Sequence, residues 1–199
     1  MKPLYNTAVK GAGNHAPNEN RLIHDIYHGK HVSVLQHDVC SDIIPEIFRT
    51  ADAIYTEPAW ENGYEKFTDG SIADGTTFNA YMSGIKFLCK ELSVPAFLVC
   101  GKSMIKYLQP DSYSNIEFVV HNNYPACCAM YGFHEPVIFK NENEIRDFVF
   151  CRFNNVLDFS CGYGNTALFA EKHKKHCILS DINVKCIEYI IERWCKNGN

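Results

Sequence analysis

Asn155-Val156-Leu157-Asp158-Phe159-Ser160-Cys161-Gly162-Tyr163-Gly164-Asn165-Thr166-Ala167, followed by Cys177-Ile178-Leu179-Ser180-Asp181, is the stretch on which the fold turns. A short apolar run stops at an acid, two glycines follow, a helical pattern starts, and a second apolar run ends in another acid. Lacking Cβ, Gly162 and Gly164 can turn the chain tightly after a strand and let a ligand approach the backbone. The helix that follows, from Asn165 to His173, is expected to aim free N–H groups at the ligand's negative end. Asp181 stands one strand–helix–strand unit after Asp158, where a carboxylate can accept hydrogen bonds from ribose hydroxyls. A plain strand–turn–helix would need only the glycines; both acids at this spacing favour a nucleotide pocket.

Two cofactor classes fit that outline. Gly162-x-Gly164-x-x-Ala167 satisfies the dinucleotide fingerprint, which points to a nicotinamide or flavin enzyme. Asp158 argues against it, because the residue before the glycines is usually apolar where a pyrophosphate passes, whereas a cationic sulfonium is well served by a carboxylate. S-adenosylmethionine is therefore favoured over NAD.

Upstream, apolar runs alternate with helical patterns. His31 to Gln36 reads as a strand, Ser41 as the N-cap of a helix through Arg49, and Ala51 to Thr56 as a strand running into Glu57-Pro58-Ala59-Trp60. Phe78 to Leu92 has helical spacing, Val94 to Cys100 is a buried strand, and Ser103 to Leu108 is a short helix. Strands are expected at Ile116 to Val120 and Pro125 to Tyr131, then an ordered segment at Val137 to Lys140 and a helix at Glu142 to Phe150. Val184 to Trp194 forms a last helix with Ile187, Ile190, Ile191 and Trp194 inward. Residues 1–30 read as irregular with a short helical piece at Arg21 to Tyr27, and the polar segment 61–77 as a loop on the substrate side. The alternation predicts one α/β domain over residues 1–199, with a mostly parallel sheet covered on both faces. Ligands of such sheets bind beyond the carboxyl ends of the strands, which places Asp38, Glu57 to Trp60, Gly101, Asp158 to Gly164 and Asp181 along one rim.

At 199 residues, with 46% hydrophobic and 13% aromatic residues, the chain can bury the core of one domain. No apolar run is long enough to span a bilayer and the amino terminus lacks a signal-peptide core, so an intracellular protein, cytoplasmic or nuclear and without a membrane partner, is expected. In that setting the 10 cysteines are expected to be reduced thiols. No Cys-x-x-Cys occurs, and His24, His28 and His31 lack further ligands at metal spacing, so no metal is expected. The formal charge of -4 supplies no global attraction to a polyanion, and a nucleic-acid partner must be met by a local patch. Lys172, Lys174 and Lys175 are the densest basic cluster and suit a solvated helix end.

Two sets of residues together resemble the S-adenosylmethionine-dependent amino methyltransferases of nucleic-acid bases, in the permuted arrangement where the catalytic motif precedes the cofactor motif. Val156-Leu157-Asp158-Phe159-Ser160-Cys161-Gly162-Tyr163-Gly164-Asn165-Thr166 is similar to that family's Val-Leu-Asp-Pro-Phe-x-Gly-Ser-Gly-Thr-Thr. Ile178-Leu179-Ser180-Asp181 resembles the motif whose acid holds the ribose, Asp38 sits where the family has an acid before its catalytic strand, and Ala53-Ile54-Tyr55-Thr56-Glu57-Pro58-Ala59-Trp60 resembles a strand ending in Asp-Pro-Pro-Tyr or Asp-Pro-Pro-Trp. The resemblance implies a Rossmann-like methyltransferase fold with a seven-stranded, mostly parallel sheet. It implies a cofactor site of Asp38, Asp158, Ser160, Cys161, Gly162, Gly164, Asn165 and Asp181, and a catalytic site of Glu57, Pro58, Ala59 and Trp60.

An exocyclic amine becomes nucleophilic when acceptors hold both its hydrogens and free its lone pair. Glu57 and the Pro58 carbonyl can be those acceptors, and Trp60 can stack on a flipped base. The resemblance implies adenine N6 ahead of cytosine N4, because the first catalytic position is acidic where the cytosine enzymes of that family tend to have Ser. Three departures stand out: Glu57 replaces Asp, Ala59 replaces the second proline, and Ser160 stands where Phe is usual. They leave room for an unusual substrate or a non-catalytic subunit that scaffolds an active partner. DNA or RNA is the expected partner; with only residues 1–30 and 61–77 to spare for target recognition, either selectivity is low, a homodimer or a partner subunit supplies it, or the substrate is RNA or a free nucleotide.

Overall fold

Parallel strands covered on both faces must be apolar at nearly every position, and the central strands of this chain meet that demand. The computed structural model describes residues 24–60, 78–108, 115–121 and 124–195. In chain order the strands are β1 (His24–His28), β2 (Val32–Gln36), β3 (Ala53–Thr56), β4 (Ala96–Gly101), β5 (Asn115–His121), β6 (Tyr124–Tyr131), β7 (Asn155–Asp158) and β8 (His176–Asp181). The helices are α1 (Phe78–Leu92), α2 (Ile105–Leu108), α3 (Glu142–Arg152), α4 (Thr166–His173) and α5 (Val184–Cys195).

All eight strands form one sheet in the order β1-β2-β8-β7-β3-β4-β6-β5. The pairs β2/β8, β8/β7, β7/β3 and β3/β4 are parallel; β4/β6, β6/β5 and β1/β2 are antiparallel. Strands β2 to β8 make the mostly parallel seven-stranded sheet the resemblance implies, and β1 folds back on β2 as an added edge strand.

The two faces are built by alternate residues of each strand. Val34, Tyr55, Phe97, Val156 and Leu179 pack with Val149, Phe150, Ala167, Ala170, Ile187 and Ile190 of α3, α4 and α5. Their neighbours Leu35, Ile54, Leu98, Leu157 and Ile178 pack with Met82, Ile85 and Leu88 of α1 and Leu108 of α2. Helix α3 starts at a cap: the Asn141 side chain accepts from the N–H groups of Asn143 and Glu144, and Glu144 Oε2 accepts from the Lys140 N–H at 2.8 Å.

Three local expectations are corrected. His24 to Tyr27 is not helical but pairs along β2, because an edge strand offered hydrogen-bond partners outweighs weak local helix propensity. No helix starts at Ser41: its Oγ accepts from the Ile43 N–H in a short turn, Pro45 has no N–H to give, and only a 3₁₀ segment, Glu46–Thr50, forms. Val137 to Lys140 has no regular structure. Most of the irregular segment 1–30, and all of the loop 61–77, lie outside the described residues. Among the described residues no helix is long and apolar enough to cross a membrane, and no group of His, Cys, Asp and Glu is arranged to hold a metal ion. The described cysteines from Cys40 to Cys186 are free thiols.

Candidate active site

Because β2, β8, β7, β3 and β4 run parallel, their carboxyl ends share one edge, and the candidate residues follow those ends. Strand β7 leads into α4 on one face, while its neighbour β3 leads towards α1 on the other. Ligand crevices of open α/β sheets form where adjacent strands diverge in this way, and here that point lies between Asp158 and Glu57.

Two hydroxyl groups tie the halves of the crevice together. Thr56 at the end of β3 donates to Asp158 Oδ1 at 3.0 Å. Tyr81, buried in α1, accepts from the Ala59 N–H at 3.0 Å and shares a hydrogen bond of 3.2 Å with Ser160 Oγ. Segments far apart in sequence therefore meet at one edge of the sheet. Tyr81 was not legible as a site residue, since its spacing in α1 marks it only as part of the buried stripe.

Asp158 is 3% exposed. Besides Thr56, it receives the Thr166 hydroxyl at 2.6 Å and the Ser160 N–H at 3.3 Å. Burial is the main cause that pushes its pKa up to about 7, the Glu57 charge adds to it, and the hydrogen bonds from Thr166, Thr56 and Ser160 pull the other way. A folded-state value above the unfolded one means the native protein holds a proton that the unfolded chain releases. The stabilisation is full below the unfolded value of 3.8 and is lost as pH rises through about 7. Asp158→Asn is accordingly expected to flatten this part of the pH profile: between about pH 5 and pH 8 the wild-type melting temperature should fall relative to that of the variant. Parallel melting curves for the two proteins would refute this role.

Asp181 accepts the Gly162 N–H at Oδ2 and the Asn183 N–H at Oδ1, both at 2.9 Å. Burial raises its pKa against the pull of those backbone bonds. The glycines between the two acids have separate jobs. Gly162, at φ +50°, has nothing within 4 Å of a Cβ position, and its N–H is held by Asp181. Gly164, at φ +73°, would place a Cβ 2.8 Å from Ile190 Cγ1 of α5. The expected supply of free N–H groups at the start of α4 is partly absent, because tight turns use them: Gly164 N–H bonds to Cys161 O, Ala167 N–H to Gly164 O and Leu168 N–H to Asn165 O. Asn165 is exposed and makes no side-chain cap, while the Cys161 side chain is buried and its N–H holds Ser180 O at 3.1 Å. Asp38 turns its own loop, with Oδ1 accepting from the Cys40 N–H at 2.8 Å, and the preceding His37 N–H binds Asp181 O at 3.1 Å.

At the other half, Glu57 stands in a cluster. The Tyr55 hydroxyl and the Arg146 guanidinium of α3 both donate to its Oε1. His121 Nδ1 lies 3.9 Å from Glu57 Oε2 and 3.8 Å from Glu142 Oε1. Period-two spacing puts Tyr55 on the same side as Glu57, which the strand pattern could have shown; no pattern links Arg146 to it. Pro58 is buried. Trp60 is half-buried, its ring packed on the Gly101 backbone, with its centroid 5.7 Å from that of His121.

This arrangement of strands and helices has solved counterparts. The PvuII DNA methyltransferase, cytosine-N4-specific, matches with a TM-score of 0.54 at 10% identity, over 85% of this chain and 88% of that one. TTHA0409, a putative DNA modification methylase from Thermus thermophilus complexed with S-adenosyl-L-methionine, matches at 0.51 and 12% identity, over 84% and 94%. The M1.HpyAVI–SAM complex matches at 0.50 and 14%, over 81% and 99%. The fold is that of these methyltransferases. No protein-family model and no curated protein matches the chain. In this methyltransferase fold the glycine turn after β7 and the tetrapeptide after β3 occupy adjacent strand ends, as the resemblance implies.

Proposed function

We propose that the chain transfers a methyl group from S-adenosylmethionine to an exocyclic amino group of a nucleic-acid base, with adenine N6 ahead of cytosine N4. The Tyr81 hydroxyl carries the proposal: bonded to both the Ala59 N–H and Ser160 Oγ, it holds the amine-binding segment against the cofactor-binding segment. The residues fit the cofactor. Asp158 is a buried carboxyl group whose hydrogen-bond donors are neutral, so a bound cation would oppose the burial that raises its pKa and favour its charged form, and the open space at Gly162 leaves room for a ligand at the glycine turn. Asp158, Asp181 and Gly162 would hold it, flanked by Asp38, Ser160, Cys161, Gly164 and Asn165. When bound, S-adenosylmethionine supplies an electrophilic methyl group on a positively charged sulfur.

The chain's own residues prepare the amine. Glu57 Oε2 and the Pro58 carbonyl accept its two hydrogens, and Trp60 stacks on the base. Adenine is favoured because an acid stands at the first catalytic position. The substrate is DNA or RNA, met by a homodimer or with a partner subunit that supplies target recognition, in an intracellular setting. The PvuII and TTHA0409 counterparts, named as a DNA methyltransferase and a putative DNA modification methylase, and the S-adenosylmethionine in the TTHA0409 and M1.HpyAVI complexes support the class of reaction.

A second reading, a non-catalytic subunit, is favoured by one observation: Glu57 Oε1 is already taken by Tyr55 and Arg146. Mass spectrometry of nucleosides from DNA and RNA incubated with the protein and labelled cofactor separates the two. Labelled N6-methyladenine is the expected product, and no labelled base from either polymer would sink the enzymatic reading. Calorimetry with S-adenosylmethionine against NAD tests the cofactor, and tight binding of NAD alone would replace it with a nicotinamide-dependent oxidoreductase.

A further inference from the structure

The ion pair at Glu57 is more than a tie between helix and sheet. A glutamate reaches one methylene further than an aspartate and has one more rotatable bond, so its carboxylate needs outside restraint to present an oxygen in a set direction. Arg146 is itself restrained. Its side chain is 8% exposed, its Nη1 donates to Asn143 Oδ1 at 2.8 Å, and its guanidinium lies 5.3 Å from the Tyr55 ring centroid and 5.5 Å from that of Phe169. A planar fork packed on two rings is a rigid anchor. Both of its clamping contacts with Glu57, its own and that of Tyr55, fall on Oε1. The other oxygen, Oε2, lies towards His121, whose ring packs beside Trp60.

We infer that Arg146, with Tyr55, is a positioning residue that locks Oε1 of Glu57 and so presents Oε2 on the Trp60 side as the acceptor for the substrate amine. The inference rests on the proposed methyl transfer. It explains how a glutamate can serve where a shorter acid would need no clamp, and it turns the contact that favours a non-catalytic reading into part of the site. Shortening the side chain should therefore harm: Glu57→Asp withdraws the carboxylate from both donors.

The test measures kcat, KM, cofactor affinity and thermal unfolding of the full chain. Arg146→Gln is expected to lower kcat by about 100-fold, the scale of a misplaced reacting group, with S-adenosylmethionine affinity within about twofold of wild type. Arg146→Lys should recover part of the loss, and Tyr55→Phe, which removes one hydroxyl, should cost about tenfold in kcat. In a Glu57→Gln background Arg146→Gln should cause no further loss, because nothing is left to clamp. A kcat within threefold (roughly 0.6 kcal/mol) of wild type for Arg146→Gln and Tyr55→Phe, or an equal loss with and without the Glu57 carboxylate, would overturn the positioning role. If Arg146→Gln fails to fold, the Tyr55→Phe and Glu57→Asp arms decide. A wild-type chain that methylates no base overturns the proposed function instead, so the two failures are told apart by the parent protein.

Discussion

Trp60→Ala is expected to reduce methyl transfer by about 100-fold or more while S-adenosylmethionine still binds within about twofold of wild type. Stacking on an aromatic ring contributes roughly 1–3 kcal/mol per base, and in a transferase that contact also sets the amine in line with the methyl group. The ring touches residues of both cores and lies on Gly101, so some stability should also be lost, of the order of 1–3 kcal/mol. Retained cofactor binding shows that this loss is not the cause of the rate change. Trp60→Phe should restore part of the activity, since it keeps a stacking face. A Trp60→Ala protein with an unchanged rate would reduce Trp60 to a packing residue at the end of β4.

The second large effect separates the two glycines. Gly164→Ala is expected to cost about 2–5 kcal/mol of stability: roughly 1–2 for an L-residue in the left-handed region and roughly 1–3 for overpacking against Ile190. That corresponds to a fall in melting temperature of about 5–15 °C for a chain of this size. Gly162→Ala meets no neighbour, so only the conformational cost of about 1–2 kcal/mol applies to folding. Its added methyl group projects into open space at the proposed cofactor turn, and cofactor affinity should fall by about tenfold or more, the scale of one lost contact. Thermal unfolding and calorimetry on the two variants check the division. A Gly162 variant that binds normally, or a Gly164 variant that melts with the wild type, would reverse the roles.

The same pair shows how far sequence reasoning reaches. Both glycines were legible as a turn after a strand, yet which one is left open and which faces a helix depends on where Ile190 arrives. Asp158 was legible as an acid at a strand end. Its near-complete burial, its two threonine donors and its raised pKa were not, because Thr56 reaches it from another strand. Helix Phe78–Leu92 was readable to its bounds because a long amphipathic period is a local signal. His24 to Tyr27 was misread because its state depends on β2, a partner further along the chain.

Taken alone, the amino-acid order determined that this is an α/β chain with strand ends at Glu57, Asp158 and Asp181. Period-two and period-3.6 burial and glycine turns are written residue by residue. Only the tertiary structure decided that Tyr81 joins the two motifs and that Arg146 holds Glu57. Those contacts exist because helices crossing to opposite faces of a parallel sheet carry side chains back to the same strand ends, a geometry that no local pattern encodes.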